Sequence, residues 1–148
     1  DVRQAETTEE MIEAVLDAAA DADALISAAA ISDYTMDAVG EKIRSGQDDL
    51  NLDLLPTPKL LDRVREAYPD LVVAGFKVET SGDDEAMVEA AREVIERVGL
   101  AFMVANDASV MGEAETRVLF VEPDGVEEFA GSKADLGLRV ADALPDEY

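Results

Sequence analysis

Three apolar runs of the chain are each closed or followed by residues that can do chemistry. Asp33 follows the first run, Phe76 closes the second, and Asn106 follows the third. A carboxylate in such a place can accept a hydrogen bond from a base or a hydroxyl, or help to hold Mg²⁺. An aromatic ring there can stack on a nucleotide base. The simpler interpretations are that Asp33 caps a tight loop, that Phe76 belongs to the core and that Asn106 forms a loop.

Lysine is scarce, so each lysine is a candidate ligand for an anion. It occurs at Lys42, Lys59, Lys77 and Lys133. Lys42 lies within 40–46, a stretch without clear periodicity, where a mobile ammonium suits the neutralisation of a phosphate or of a developing negative charge. Lys59 follows Thr57 and Pro58, a pair that predicts the start of a helix, and the free N–H groups of a helix start favour an anion. For any of these lysines taken alone, a solvated surface position is the simpler interpretation.

The residue types that are missing narrow the chemistry. The sequence has no cysteine and no histidine. Disulfides, thiol chemistry, zinc sites with the usual ligands and histidine-based triads are therefore excluded. The motifs G-x-x-x-x-G-K-[ST] and G-x-G-x-x-G do not occur, so neither a P-loop ATPase nor an ordinary dinucleotide-binding domain is supported. Any catalysis must use carboxylates, lysine, arginine, hydroxyls or backbone groups.

The charge balance is strongly acidic. The 148 residues include 35 Asp and Glu against 12 Lys and Arg, a formal charge of −23. Such a surface repels nucleic-acid backbones and anionic lipids, so we expect neither a nucleic-acid nor a membrane partner. The acidic residues are spread through the predicted helices, which favours a surface adapted to concentrated salt, as in a halophilic archaeon, over a basic partner or a cation store. With no membrane-length apolar run and no signal segment, we expect a cytoplasmic location.

Apolar periodicity predicts alternating helices and buried strands in one domain, residues 1–148. Helices are predicted from the Thr7 cap to about 21, from the Thr57 cap to about 68, from Ser81 or Asp83 to Val98 with Gly99 as the stop, and after Ser132 or Asp135. Strands are predicted at 24–29, 50–54, 71–76 and 100–105, with a hairpin of 117–121 and 126–129.

This order of elements predicts the fold class. Fully apolar strands separated by helices belong in a parallel sheet that is covered on both faces. We therefore predict a three-layer, Rossmann-like α/β fold, with a mostly parallel sheet, helices on both faces and an antiparallel hairpin at one edge. Ligands bind beyond the carboxyl ends of such strands, where Asp33, Phe76 and Asn106 are expected to lie.

Taken together, the strand-end segments resemble the phosphopantothenate–cysteine ligase domain of coenzyme A biosynthesis, which is often the C-terminal half of a bifunctional flavoprotein. The resemblance runs in order along nearly the whole chain. Its motifs are Glu10-Met11 with Ala14-Val15, Ala29 to Tyr34, Glu41 to Ile43, Thr57 to Leu60, Gly75-Phe76 with Glu79-Thr80, Ala105 to Asp107, and Ser132-Lys133. Each motif is weak by itself, and their order and spacing make the set specific.

The resemblance implies a two-step ligation with defined cofactors. A nucleoside triphosphate, usually CTP, activates the carboxylate of 4′-phosphopantothenate, and the amine of cysteine captures the acyl-nucleotide. The resemblance also implies Mg²⁺, a homodimer, and FMN only where a decarboxylase domain is fused upstream. It assigns catalysis to Lys42, on a flexible loop. It assigns nucleotide binding to Asp33, Pro58, Lys59, Leu60, Leu61 and Phe76, and substrate binding to Ala29 and Ala30. The residue types themselves add Asp33 as a candidate metal ligand and Asn106 as a candidate substrate-binding residue.

The chain departs from the family pattern in two places. Family members begin with a strand and a glycine-rich turn, whose Asn-containing segment handles the acyl-nucleotide. This sequence opens at the equivalent of a later strand, so we expect a C-terminal fragment of a longer polypeptide. The helix before the third apolar run usually offers two lysines to the triphosphate, whereas Val94 and Val98, or Ala90 and Val94, stand here. Arg92 and Arg97 are the nearest basic substitutes for nucleotide binding.

A second hypothesis from a different class is a non-catalytic nucleotide-binding or dimerisation module that keeps the sheet without the chemistry. An unrelated α/β domain of the response-regulator or flavodoxin type is disfavoured. A response regulator needs a clustered acidic pair, a phosphoacceptor aspartate and a lysine at its strand ends, and the strand ends here offer no such set.

Overall fold

The computed structural model describes residues 1–36, 51–79, 83–107 and 115–145. Over these ranges the helices are α1 (Thr8–Ala19), α2 (Leu60–Ala67), α3 (Asp84–Val98) and α4 (Lys133–Asp142). The strands are β1 (Ala24–Ser27), β2 (Tyr34–Thr35), β3 (Leu55–Pro56), β4 (Val72–Glu79), β5 (Phe102–Asp107), β6 (Glu115–Val121) and β7 (Val126–Ser132). No helix in these ranges is long and apolar enough to cross a lipid bilayer.

Five strands form the main sheet, in the order β1-β4-β5-β6-β7. β1, β4 and β5 are parallel, with Ala24 opposite Val72. β5, β6 and β7 are antiparallel, and the turn at 122–125 closes the last hairpin with Val121 opposite Val126. The predicted α/β sheet with an antiparallel hairpin at its edge is confirmed. β2 and β3 form a separate two-stranded antiparallel sheet.

Apolar side chains fill both faces of the main sheet. On one face α1, α2 and α3 cover the strands, and Val64, Val73 and Ala91 are buried there. On the other face α4 packs over Phe102 and Phe120, whose ring centroids are 5.9 Å apart. Successive side chains of a strand point to opposite faces, so each central strand contributes to both cores. The result is the predicted three-layer arrangement.

Short polar side chains cap three helices where the sequence predicts caps. Thr7 Oγ1 accepts a hydrogen bond from the N–H of Glu10 at 3.1 Å at the start of α1. Asp83 caps α3 and Ser132 caps α4. Gly99 ends α3 at φ 74°, a left-handed conformation that favours glycine. Local sequence therefore determines these helix ends.

The strand predicted at 50–54 is wrong in position. Residues 51–54 have no regular structure, and the observed strand is β3, which pairs with β2. Leu52 and Leu54, whose alternation predicted the strand, are both exposed. Alternating apolar and polar residues do not determine which strand will be the partner. The partner strand decides which residues form the ladder.

The predicted cap of α2 is also wrong. The helix begins at Leu60 behind Lys59, and Thr57 does not cap it. The Thr57 hydroxyl instead donates a hydrogen bond to the carbonyl oxygen of Ser32. A partner far away in the sequence has thus taken the hydroxyl that local sequence assigned to the helix.

Candidate functional site

A cavity of about 410 Å³ lies where β1 and β4 end and α2 begins. Four parts of the fold form most of its wall: the segment after β1, the start of α2, the end of β4, and α3. The described residues that line it are 27–33, 57–61, 76–78, Val94, Arg97 and Met103. This is the edge of the sheet at which the sequence predicts a site.

Small residues shape this cavity. Ala29 and Ala30 are exposed, so a ligand can approach the backbone closely at the end of β1. Beneath the cavity, a Cβ atom on Gly75 would lie 3.0 Å from Met103 Cε and 3.3 Å from Leu100 Cδ1. Because residue 75 is glycine, the Met103 side chain can occupy this space beside the cavity.

The charge of the cavity is opposite to that of the chain as a whole. Acidic residues outnumber basic residues by 35 to 12 in the full sequence. Among the described residues that line the cavity, the cations Lys59, Lys77 and Arg97 accompany a single carboxylate, Asp33. Clustered cations in a concave site attract anions, and phosphate and carboxylate groups suit lysine and arginine as donors.

An ion pair stands at the mouth of the cavity. Lys59 Nζ contacts Asp33 Oδ1, and both side chains are more than half exposed. The hydrogen bond from Lys59, followed by its charge, holds the pKa of Asp33 below its ordinary value, and the charge of Lys77 acts in the same direction. Asp33 is therefore ionised at neutral pH. Exposed ion pairs contribute little to stability, so this pair matters for the charges it presents at the cavity rather than for holding the fold together.

The two candidate arginines lie on different faces of α3. Arg97, in the last turn, lines the cavity and pairs with Asp62 in the first turn of α2. Val94 also lines the cavity, at one of the positions where the resemblance leads us to expect a lysine. Arg92 lines a separate groove along α3, in which the other described charged residues are acidic. Of the two predicted substitutes, the structure brings Arg97 to the cavity and keeps Arg92 away from it.

Phe76 lines this cavity and also a second one of about 580 Å³ on the α4 side of the sheet. Its ring packs against the core beneath α4 and is only partly buried, so Phe76 contributes to the core and still lines both cavities. Asn106 and Lys133 line the second cavity and are not among the residues that line the first. The structure therefore separates Asn106 from most of the other predicted site residues.

Most of the predicted site residues meet at the first cavity. They are Ala29, Ala30, Asp33, Pro58, Lys59, Leu60, Leu61, Phe76 and Arg97. Lys42, the predicted catalytic residue, lies outside the described residues, and so does Thr80. The role of Lys42 stays a prediction.

Lys77 and Thr57 line the cavity without having been assigned to it from the sequence, although Lys77 was a candidate anion ligand as one of the four lysines. Lys77 follows Phe76 in β4, and strand alternation turns its side chain toward the first cavity. Lysine is rare in this chain, and Lys77 lies near the end of a strand. These are the two sequence features that point to it. Thr57 offers no such signal, because the partner of its hydroxyl, Ser32, is 25 residues away in the chain.

The carboxylates of the described residues do not form a metal cage. No group of three or more Asp or Glu side chains that could hold a metal ion is found among them. Asp33 is the one carboxylate among the described residues lining the cavity. Mg²⁺ held by one carboxylate and by the phosphate oxygens of a ligand fits this donor set.

Fold and cavity together define an α/β domain with a cation-lined site at the ends of its parallel strands. The chain belongs to the family of DNA/pantothenate metabolism flavoprotein C-terminal domains, whose family model matches residues 1–146. One relative is the coenzyme A biosynthesis bifunctional protein CoaBC of Thermococcus kodakarensis, 38% identical over 95% of this chain and 36% of the relative. The protein of the same name from Methanocaldococcus jannaschii is 33% identical over 93% of this chain and 34% of the relative. The chain thus spans 36% and 34% of the length of these curated relatives.

Solved structures share the fold. The DNA/pantothenate metabolism flavoprotein from Streptococcus pneumoniae matches with a TM-score of 0.83 and 22% identity, over 96% of this chain and 71% of that chain. The C-terminal domain of a coenzyme A biosynthesis bifunctional protein CoaBC matches with a TM-score of 0.73 and 23% identity, over 95% and 62%. At these identities the likeness establishes the fold alone.

Proposed function

We propose that this chain is the ligase part of a coenzyme A biosynthesis enzyme, and that it joins 4′-phosphopantothenate to cysteine with CTP as the activating nucleotide. Family membership and the similarity to two CoaBC proteins support this assignment. The observation that carries it is the excess of cations at one cavity of a strongly acidic chain. A nucleoside triphosphate and a phosphorylated carboxylic acid are both polyanions, which such a cavity suits.

The proposed reaction has two steps because a free carboxylate is a poor acyl donor. First, a carboxylate oxygen of phosphopantothenate attacks the α-phosphorus of CTP, and pyrophosphate leaves with the electron pair of the broken P–O bond. The amine of cysteine then attacks the acyl carbon and loses a proton, and CMP leaves. The product is an amide.

Each part of the cavity has a role in this scheme. Lys59, Lys77 and Arg97 neutralise phosphate oxygens, which lowers the cost of bringing two anions together. Phe76 offers its ring to the nucleotide base, and the small side chains at 29–30 let the reacting groups approach the backbone. Asn106 meets the acyl substrate where that substrate passes Phe76 into the second cavity.

Asp33 is the residue that would hold Mg²⁺ at the cavity, together with phosphate oxygens of the nucleotide. The ion supplies neutralisation of the triphosphate charge when it is bound. Since Asp33 already pairs with Lys59, the metal and the ammonium compete for the same carboxylate. FMN would be needed only where a decarboxylase domain is fused upstream, and it has no assigned place in this cavity.

The first half-reaction tests the proposed function. Pyrophosphate release by the full-length protein is measured with saturating phosphopantothenate and CTP and without cysteine. Lys42→Gln removes a charge with little change in volume, and we expect release to slow by roughly 10²-fold, the scale of losing one electrostatic donor. Arg63→Gln removes an exposed cation of α2 that lines neither cavity and is the control, with release close to that of the wild type.

Three outcomes have distinct meanings. Wild-type release in Lys42→Gln refutes the role of Lys42. A full-length protein that neither binds CTP nor releases pyrophosphate refutes the ligase assignment. CTP binding in calorimetry without any turnover identifies a non-catalytic nucleotide-binding module instead.

We also propose that two copies of the chain associate through the small sheet of β2 and β3. Tyr34, Leu54 and Leu55 at this sheet are 58%, 57% and 47% exposed, and contiguous exposed apolar side chains mark interaction surfaces. A two-fold interface would bury the same patch on both copies. Sedimentation of Leu54→Glu should report a monomer. Leu138→Glu, which changes an exposed leucine on α4, is the matched control, and a dimer that survives Leu54→Glu rules out this interface.

A further inference from the structure

Thr57 is a buried polar residue next to the cavity. It is 5% exposed, and Thr116 is the other buried polar residue among those described. The Thr57 hydroxyl donates to the carbonyl oxygen of Ser32, and the Thr57 N–H donates to the carbonyl oxygen of Asp33 at 3.0 Å. Because the hydroxyl is buried, water competes little for its hydrogen bond. Two hydrogen bonds therefore tie the residue before Pro58 to the segment after β1.

The other contacts between these two segments are weak. β2 and β3 pair over two residues each, and those residues are exposed. The contact between Lys59 and Asp33 is an exposed ion pair, which does not by itself hold two long side chains in one geometry. The buried hydrogen bond of Thr57 is therefore the strongest contact between the two segments, and it lies directly beside the ion pair.

We propose that Thr57 is a positioning residue that sets where the Asp33 carboxylate and the Lys59 ammonium face the cavity. Asp33 is held on both sides, through its backbone by Thr57 and through its carboxylate by Lys59. Without the hydroxyl, one of the two hydrogen bonds that tie the segment after β1 to the residue before Pro58 is lost, and the separation of the two charges is less closely fixed. The inference rests on the proposed function, since CTP is the ligand with which it is tested.

Two substitutions at Thr57 separate the hydroxyl from the shape of the side chain. Thr57→Val keeps the shape and removes the donor, whereas Thr57→Ser keeps the donor and loses a methyl group. In calorimetric titration of the full chain we expect Thr57→Val to weaken CTP binding about tenfold, the scale of one lost hydrogen bond. We expect Thr57→Ser to stay within about threefold of the wild type.

A matched control distinguishes positioning from loss of stability. Thr7→Val removes the cap hydroxyl of α1, which does not line the cavity. It should lower the melting temperature, as Thr57→Val does, and leave the CTP dissociation constant unchanged. If Thr7→Val weakens CTP binding as much as Thr57→Val, the effect is one of general stability and the proposal fails.

Amide hydrogen exchange provides a readout that does not depend on CTP. The N–H of Thr57 donates to the carbonyl oxygen of Asp33 at 3.0 Å. In Thr57→Val the N–H of residue 57 should exchange faster than in the wild type, because the neighbouring hydrogen bond to Ser32 is lost, whereas in Thr57→Ser and in Thr7→Val its protection should be kept. Unchanged protection at residue 57 in Thr57→Val overturns the proposal. Faster exchange there in a protein whose wild type binds no CTP supports the positioning role and overturns the ligase assignment.

Discussion

The two ends of α2 hold their cations in different ways. Lys59, just before the helix, is more than half exposed and pairs with a carboxylate at the cavity. Arg65, in the last turn, donates Nε to the carbonyl of Val98 and Nη2 to that of Gly99, both at 2.8 Å. Its Nη1 contacts three further carbonyl oxygens in the segment 68–71. Lys59 stays accessible to a ligand, whereas all three nitrogens of Arg65 are bound by the backbone.

The nature of the acceptor explains this difference. The last carbonyl oxygens of a helix have no partner within the helix, and leaving them unpaired is costly where they are shielded from water. Arg65 satisfies such groups at the ends of both α2 and α3 and joins them to the segments that lead into β4 and β5. Lys59 satisfies no backbone group. A cation bound to carbonyl oxygens thus stabilises this fold, and a cation bound to a carboxylate leaves a site that can exchange partners.

The largest effect should come from removing Arg65. Arg65→Met leaves several partly buried carbonyl oxygens without a donor, and we expect the free energy of unfolding to fall by about 3 kcal/mol. Urea denaturation measures it. Arg63→Met is the matched control on the same helix, because Arg63 makes only an exposed pair with Glu66, and its effect should stay within about 0.5 kcal/mol. Equal losses in the two variants would contradict the comparison.

The opposite pattern is expected at Lys59. Lys59→Met should weaken CTP binding about tenfold, the scale of a lost charge-assisted hydrogen bond, while the melting temperature hardly changes. Calorimetric titration and thermal denaturation of the same samples measure both quantities. Arg63→Met again serves as the control for removal of one positive charge. If Lys59→Met unfolds more easily and binds CTP normally, Lys59 has a structural role and the assignment of the two helix ends is wrong.

Salt should raise the stability of the whole fold and leave the contribution of Arg65 nearly unchanged. With a net charge of −23, self-repulsion opposes folding, and the screening length falls from roughly 10 Å at 0.1 M to about 3 Å at 1 M salt. The melting temperature should therefore rise by several degrees with KCl, while the stability lost in Arg65→Met changes little because carbonyl oxygens are neutral. A melting temperature that is flat or falls with KCl would reject adaptation to concentrated salt.

The smallest effect concerns another arginine bound to carboxylates. Arg117 donates to both Asp84 oxygens, at 3.0 and 2.6 Å, and this hydrogen bonding lowers the pKa of Asp84. Because the pKa is lower in the folded state, the stabilisation is present above the unfolded-state value near pH 4 and is lost as pH falls through the folded value. Arg117→Gln should lower the melting temperature slightly at pH 7, and this difference should shrink as the pH falls below about 4. A difference that does not shrink with falling pH would mean that packing of Arg117 matters more than its charge.

Local sequence was enough for much of the fold. α3 begins behind Asp83 and ends at Gly99 as predicted, since a capping carboxylate and a left-handed glycine act on their own neighbours. The strands of the main sheet follow from apolar runs for the same reason. The hydrogen bond from the Thr57 hydroxyl to Ser32 and the position of β3 could not be predicted, because both depend on partners some twenty or more residues away.

The candidate site was predictable in outline and less so in detail. Strand-end rules locate Asp33 and Phe76 at one edge of the sheet, and both line the first cavity, whereas Asn106, predicted by the same rules, lines the second. Arg92 and Arg97 are five positions apart, about 140° around a helix, so geometry alone shows that they cannot share one face. Which of them reaches the cavity depends on how α3 packs against α2, and that packing is decided by contacts far apart in the sequence.

The chain order of the strands has a consequence for how the molecule folds. Ala24 of β1 pairs with Val72 of β4, roughly fifty residues away, so a long loop must close before the contacts are made. Val121 and Val126 pair across the turn at 122–125, so the β6–β7 hairpin can form early. Both strands of the long-range pair end at the first cavity. The site is therefore completed late in folding, and its strands should open first in native-state fluctuations, which amide hydrogen exchange would register as faster exchange in β1 than in β6.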